Sequence, residues 1–419
     1  MEFNKRLTLK DIEWILLQFG CCIGIAIVYV PIQVAIAGIG PLVLATAVIF
    51  PVMYISLKNV SMIVVEEKEN IDITFIFRKR LGKFFGFLAT IMYFLTSYTV
   101  VIGYAIILPT SAGNALTTFH ITKINYNNSS IFAFIVLLVP FIIMMTKKDL
   151  MLKIVAVIVY PLIIAMLIVG FYLIPEWSMS NLYEPASVTE WIKGFLLAFP
   201  MLVFGMNYCQ SISQMVVYYK KTDMSLEEMK FRVKRNIFMA TLIILIFVMF
   251  FVFSCDFSLT LKSAIKGLDS NTSALSLIAA ANHLPFLKYT GPIIVLTGLL
   301  SSFIGCFLGG IESISGIVSQ VVQVVFPKLK INNSILDFIS SVIILFSLFL
   351  VAIGGFKMLL VTGILITPCI AAFIFLIPFI FKIILNRNKR DCRGITFAKT
   401  MFIIGIFALF SYYVGMLIH

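Results

Sequence analysis

The sequence predicts an all-α polytopic membrane protein, and three observations carry that prediction. The first is composition: 61% of the 419 residues are apolar, only 12% are charged, and the mean hydropathy is +1.07. A soluble domain carries about 25% charged residues and about half apolar ones. Phenylalanine alone supplies 40 residues, a load that lipid accepts and water does not. The second is that the apolar residues fall in long runs, most of them near the ~20 residues that cross a hydrocarbon core. The third is the segregation of lysine and arginine between alternate loops. Together they exclude a soluble enzyme and a disordered chain. They also exclude a nucleic-acid binder, despite a net charge of +13.

Reading the runs in order gives eleven spans, at 13–37, 41–57, 84–110, 131–146, 150–174, 191–217, 237–257, 289–322, 335–353, 356–382 and 397–417. The first begins after Asp11 and runs past Pro31, too long for the apolar core of a signal peptide. The fourth is short. The eighth is long enough to tilt or to continue past the membrane. With the N-terminus inside, 26 of the 32 Lys and Arg fall in cytoplasmic segments and 6 in outer ones. That asymmetry sets the orientation and explains the basic charge as topology. It leaves His419 outside.

Two spans are interrupted at mid-depth. Span one reads Gln18-Phe19-Gly20-Cys21-Cys22-Ile23-Gly24, then on to Pro31. Span six reads Phe199-Pro200-Met201-Leu202-Val203-Phe204-Gly205-Met206-Asn207-Tyr208-Cys209-Gln210. Glycine costs about 1 kcal/mol in a helix interior and proline about 3. In lipid, backbone groups freed by a break need partners. A break at that depth points to a cavity where a solute supplies them. A half-helix N-terminus attracts a carboxylate and a half-helix C-terminus attracts a cation. The Gly20–Gly24 spacing also fits close packing of two helices, and both readings stand. The interrupted spans lie five apart. Spans one to five (13–174) and six to ten (191–382) make two units of five, and an odd number inverts the second unit. That is the inverted-repeat plan of many secondary transporters, with 397–417 as one extra helix of a single domain, 1–419.

Polar groups at depth mark candidate positions. Asn207 adjoins the interruption in span six, which gives it a site role. Glu312 in span eight is a lone carboxylate, costly by about 2.5–3.5 kcal/mol on insertion scales. It must face the bundle interior, as a titrating group or as the partner of a cation. Lys153 lies just inside span five, either snorkelling to the cytoplasmic edge or standing at a coupling-ion position. Span three carries Tyr93, Tyr98 and Tyr104. Tyr98 is near mid-depth, where its hydroxyl bonds a substrate carboxylate or a neighbouring helix. Ser301 and Ser302 offer hydroxyls to a substrate, to an ion, or back to their own helix. Asp256 ends span seven and is expected in water.

Seven cysteines show no metal-ligand spacing, and no structural disulfide is expected. His120 and His283 fall in outer segments. No phosphate-binding loop, dinucleotide glycine pattern or catalytic triad is present, so the energy source is expected to be an ion gradient.

The chain resembles the hydroxy and aromatic amino acid permeases of the amino acid–polyamine–organocation superfamily, and within them the bacterial serine/threonine:proton symporters. The likeness rests on Gly20-x-x-Ile23-Gly24 leading to Pro31, on Tyr172-Leu173-Ile174-Pro175-Glu176-Trp177, and on Pro200-Met201-Leu202-Val203-Phe204 with Asn207. It rests also on Phe250-Phe251-Val252-Phe253-Ser254-Cys255, and on Ser302-Phe303-Ile304-Gly305 with Leu308-Gly309 and Glu312. Lys153 and the three tyrosines fall in matching places, and the matches run along most of the chain in order. The pattern departs at Ala26, where the family has a third glycine. It departs at Asn207-Tyr208-Cys209, where the serine and threonine branch has Asn-His-Ser, and at Cys306, where it has histidine.

The resemblance implies a LeuT-type 5+5 fold plus one helix, with helices one and six unwound at the site. It implies uptake of a small neutral amino acid across the inner membrane, driven by proton entry. L-serine or L-threonine comes first and an aromatic amino acid second. Substrate would be held by Gly20, Cys21, Cys22, Ile23 and Gly24 on helix one, and by Phe204, Gly205, Asn207 and Tyr208 on helix six, with Tyr98 and Ser302. Lys153 and Glu312 would serve the coupling ion. The expected partners are the amino acid, protons and the bilayer. No cofactor, metal, nucleic acid or obligatory protein partner is expected. The competing classes are a membrane-embedded enzyme, which would need converging buried acids, bases or metal ligands, and a non-transporting sensor of the same fold.

Overall fold

The computed structural model describes residues 6–69, 71–127, 129–222, 224–270, 273–282, 284–325, 333–355, 362–385 and 392–417. Every regular element among them is helical. The helices are α1 (Leu9–Ala37), α2 (Ile39–Val65), α3 (Ile73–Thr118), α4 (Ser130–Met144), α5 (Lys148–Tyr172), α6 (Val188–Gly205) and α7 (Cys209–Lys220). They continue as α8 (Leu226–Ser258), α9 (Leu261–Ser270), α10 (Ala274–Ala281), α11 (Pro285–Val325) and α12 (Asn333–Ile353). Next is α13 (362–385), in which π-helical Thr362–Ile366 and Ala372–Leu376 alternate with α-helical stretches, and last is α14 (Cys392–Leu417). His283, His419, Lys328, Lys330 and Lys357 lie outside the described residues, as does the side chain of Ala26.

Short polar residues start several of these helices. Thr8 accepts from the Asp11 N–H and Asp11 answers on the Thr8 N–H, a capping box. Asp72 accepts from Thr74 and Phe75, and Ser225 from Glu228. Eight helical segments among the described residues are long and apolar enough to cross a membrane, with α4 and Phe402–Ser411 as shorter apolar helices. The expected third span is the later part of a longer helix. α3 turns sharply at Gly82, where φ is 80°, and an additional arm, 73–81, precedes the turn.

α11 is the central helix, packed on α1, α3 and α5. Lipid tails are as apolar as leucine, so helices associate by close packing rather than by hydrophobic drive. Ser301, Ser302, Gly305, Gly309 and Gly316 make α11 thin enough for this. A Cβ at Gly305 would strike the Cys21 sulfur, and one at Gly316 the Thr74 side chain. Outward-facing Ile131, Val157, Phe171 and Ile403 are exposed, the pattern of a surface that meets lipid.

The two ends of the bundle differ in chemistry. One carries ion pairs: Lys10 with Asp149 at 2.8 Å, Lys79 with Glu67 at 2.9 Å, Arg80 with Glu67 at 3.0 Å and Arg235 with Asp11 at 2.8 Å. This is the basic end. The other is capped by aromatic contacts and short turns. Trp177 stacks on Phe257 at 5.2 Å, the Ser178 N–H donates to the Phe257 carbonyl, and the Ile39 N–H donates to Tyr183. This cap, with α9 and α10, corrects one expectation. Asp256 is only 3% exposed, because the chain folds back over the end of α8 instead of leaving it in water.

Candidate functional site

The interruption expected in span six is present. α6 ends at Gly205, α7 begins at Cys209, and Met206, Asn207 and Tyr208 link them inside the bundle, all buried. Asn207 holds the link together. Its Oδ1 accepts from the Cys209 N–H at 3.2 Å and its Nδ2 donates to Gln210 Oε1 at 3.2 Å. Its N–H returns to the Phe204 carbonyl at 3.1 Å. Tyr208 points away from the link. Its hydroxyl donates to the Ile237 carbonyl at 3.0 Å and shares a 2.6 Å bond with Thr241 on α8. Its main chain belongs to the site, while its ring anchors α7 to α8.

Helix one differs from the expectation. α1 is helical from Leu9 to Ala37, straight through Cys21–Gly24. The physical reason is a side chain from α11. The Ser302 hydroxyl donates to the Gly20 carbonyl and accepts from the Gly24 N–H at 2.7 Å. Those are the two groups that a regular i→i−4 bond joins. Insertion of a side chain into the ladder is a recognised cause of helix distortion, and here both groups stay satisfied. Above them, Tyr104 donates to the Cys21 carbonyl at 3.4 Å. Gly24 permits this approach: a Cβ there would lie 2.5 Å from Ser302 Oγ and 2.7 Å from the Tyr104 ring. Cys21, Cys22 and Ile23 are buried. The Cys306 sulfur lies 4.0 Å from the Cys21 carbonyl, and α1 packs against α6 and α7 as well as α11, so the α1 stretch, the link and α11 converge.

Two expected residues stand apart. Tyr98 is half-buried and stacks on Phe94 of its own helix at 5.0 Å, and Tyr104 is the phenol that reaches α1. Lys153 is exposed on α5. The α5 residue facing Gly20 is Val159, and the lysine of α5 that turns inward is Lys148, bonded to Gln214 on α7.

Glu312 is 4% exposed and lies between the link and the basic end. Its Oε1 accepts from the Ser213 hydroxyl and from the Ile73 N–H at 3.3 Å, and its Oε2 accepts from Tyr93 at 3.2 Å. No cation is bonded to it among the described residues. Tyr93 also reaches the Gln210 carbonyl, at 3.3 Å. Gln210 and Ser213 were not singled out from the sequence, and Tyr93 was named only as one of three tyrosines in span three. Their signal is phase: Gln210 and Ser213 share the buried face of a short polar helix that follows the link.

An all-helical bundle with a mid-depth interruption, a buried carboxylate and ion pairs at one end has the build of a membrane transporter. The chain belongs to the tryptophan/tyrosine permease family, whose model matches residues 12–318. It is 26% identical over 410 residues to the serine transporter SdaC of Escherichia coli (strain K12), covering 96% of this chain and 94% of that one. It is 23% identical over 330 residues to a probable serine transporter of the same strain, covering 78% and 74%. Among solved structures it is similar to MhsT in complex with L-phenylalanine, with a TM-score of 0.61 at 11% identity over 99% of both chains. It is also similar to Mhp1, a nucleobase-cation-symport-1 family transporter, with a TM-score of 0.60 at 11% identity over 97% of this chain and 91% of that one. The fold is therefore of the LeuT type, and the protein is a multi-pass membrane transporter of amino acids rather than an enzyme.

Proposed function

We propose that the protein is a proton-coupled importer of a small neutral amino acid, L-serine or L-threonine, in the inner membrane. It works by alternating access between the units 13–174 and 191–382. The observation that carries this reading is the link between α6 and α7 beside α1. The α6 end offers carbonyls to an ammonium, and the α7 start, whose Cys209 N–H is capped by Asn207, turns its positive dipole end to a carboxylate. A zwitterion matches both. The close approach of Ser302 to Gly24 and of Cys21 to Gly305 favours a short side chain, and the relatives named serine transporters support a hydroxyl on it. Hydroxyl-bearing substrates are selected where the site pairs that group. Glu312, bonded to neutral donors, is the proton site. The charge asymmetry of the loops makes the basic end cytoplasmic.

The test is uptake of labelled L-serine, L-threonine and L-tryptophan into proteoliposomes with an imposed inward proton gradient. Accumulation of serine or threonine, abolished by an uncoupler, is expected. Accumulation that survives the uncoupler and follows sodium refutes the coupling. Tryptophan uptake alone replaces the substrate with the aromatic class suggested by the family's name. Binding without flux of any of the three makes the protein a sensor.

A further inference from the structure

We propose that the Tyr93 hydroxyl passes the charge state of Glu312 to the link between α6 and α7, which makes Tyr93 the positioning residue of proton coupling. This rests on Glu312 being the proton site. Tyr93 is buried, at 1% exposure, and has one O–H to donate. Two acceptors compete for it at almost equal distance, Glu312 Oε2 at 3.2 Å and the Gln210 carbonyl at 3.3 Å.

The two charge states of Glu312 select different arrangements. Oε1 holds the Ser213 hydroxyl and the Ile73 N–H, so Oε2 is the oxygen that takes a proton. With Glu312 ionised, Tyr93 donates to the carboxylate, because bonds to a charged acceptor are the stronger ones. With Oε2 protonated, the carboxylic acid donates to the Tyr93 oxygen, and the tyrosine's own hydrogen turns to the Gln210 carbonyl. The added proton stays on Glu312, no O–H bond of Tyr93 breaks, and only the hydroxyl rotates.

Gln210 is where that rotation has an effect. It lies in the first turn of α7, and its Oε1 holds Asn207. Its Nε2 is buried with no partner, and so is the Ser97 hydroxyl. The Ser97 hydroxyl, the Gln210 stem and the Tyr93 hydroxyl meet at Gly309, where a Cβ would lie 2.8 Å from Ser97 Oγ, 2.8 Å from Gln210 Cβ and 3.0 Å from Tyr93 Oη. Unpaired buried donors next to the link await an acceptor, and the carboxylate of an amino acid supplies one. Protonation of Glu312 docks Gln210 on α3 through Tyr93 and holds that donor in position. Substrate then binds more tightly at low pH, and by linkage tightens proton binding by the same factor.

Other charges act on Glu312 and are kept constant in the test. They are Asp72 ahead of α3 and Lys148 at the start of α5. Asp337 on α12 acts on Asp72 and Lys148, and the Cys209 thiol on α7 is the further titratable group acting on Tyr93. The Tyr93→Phe variant removes the hydroxyl and leaves all of these, together with the ring that stacks on Phe373 at 4.9 Å.

The experiment measures the dissociation constant of L-serine, or of whichever amino acid is transported, at about pH 8 and about pH 5 in purified protein. Wild type is expected to tighten by about tenfold, and Tyr93→Phe and Glu312→Gln by less than about twofold. The readout is a ratio, so a general loss of affinity does not enter it. Infrared difference spectra on substrate addition give a second readout. The carboxylic-acid band that vanishes in Glu312→Gln should shift in wild type and stay still in Tyr93→Phe. A Tyr93→Phe ratio equal to wild type overturns the role of Tyr93 and leaves the symport reading intact. A wild-type ratio of one overturns proton coupling itself, and the Tyr93 role with it.

Discussion

Asp11 closes the basic end, and its removal should open it. The carboxylate is fully buried. It accepts from the Thr8 N–H and hydroxyl, both at 2.9 Å, from Arg235 at 2.8 Å, from Asn236 at 3.0 Å and from Tyr219 at 2.6 Å. Tyr219 lies in the last turn of α7, and Arg235 and Asn236 belong to α8, so one side chain fastens the first turn of α1 to both. Breaking a buried pair by removing one partner costs about 3–5 kcal/mol. In a conformation where α1 has swung away, these bonds are already broken and the substitution costs little. The Asp11→Ala exchange therefore moves the closed–open equilibrium by most of that amount, about two decades in population. The assay is alkylation of Cys22, which is 3% exposed in the closed form, by a membrane-permeant maleimide read by mass spectrometry. Asp11→Ala should raise the rate by about 100-fold, with Arg235→Ala in the same direction and the double variant less than additive. A rate within about twofold of wild type in folded protein would refute the latch.

Two further outcomes follow from the geometry. Gly24→Ala places a methyl 2.5 Å from Ser302 Oγ and 2.7 Å from Ser302 Cβ. It should destabilise the protein by about 1–3 kcal/mol and block uptake, and adding Ser302→Gly should restore part of the melting temperature; wild-type uptake by Gly24→Ala would refute the α1–α11 contact. Burial pushes the Glu67 carboxyl up, but hydrogen bonds and charge from Lys79 and Arg80 outweigh it and hold it at about 2, below the ordinary 4.5. A depressed carboxylate contributes stability above its unfolded value and loses it as pH falls toward its folded one. The melting temperature of wild type should therefore fall between about pH 4.5 and about pH 2, and Glu67→Gln should start lower and stay flatter across that window.

The sequence was sufficient for what depends on composition and on backbone chemistry. Hydropathy found the eight long apolar segments among the described residues, and Gly205 with Asn207 marked the link in helix six, because few side chains repair such a break. Helix one shows the limit. Its Gly20–Gly24 motif reads as a break until Ser302 is seen to bridge it, and that contact joins residues 282 apart. Side-chain direction was the other gap. On a helix, Tyr104 lies about 20° from Tyr93 and Tyr98 about 140° from it, so choosing Tyr98 by depth alone ignored phase. The same arithmetic puts Lys148 about 20° from Val159 and Lys153 about 120° away. Asp256 was misjudged because the covering segments come from elsewhere in the chain.

The bridge at Ser302 also bears on how fast helix one can change shape. Opening a helix within hydrocarbon ordinarily passes through a moment when an amide and a carbonyl face nothing, which costs several kcal/mol and sets a barrier. Here a hydroxyl already holds both groups, so the helix can hand its bonds to a serine, to a solute and back without that moment. A hydroxyl changes partners by turning about its own C–O bond, with no movement of the backbone. The slow step of the cycle should then be the swing of whole helices, and exchange of the mid-membrane bond should add nothing to it.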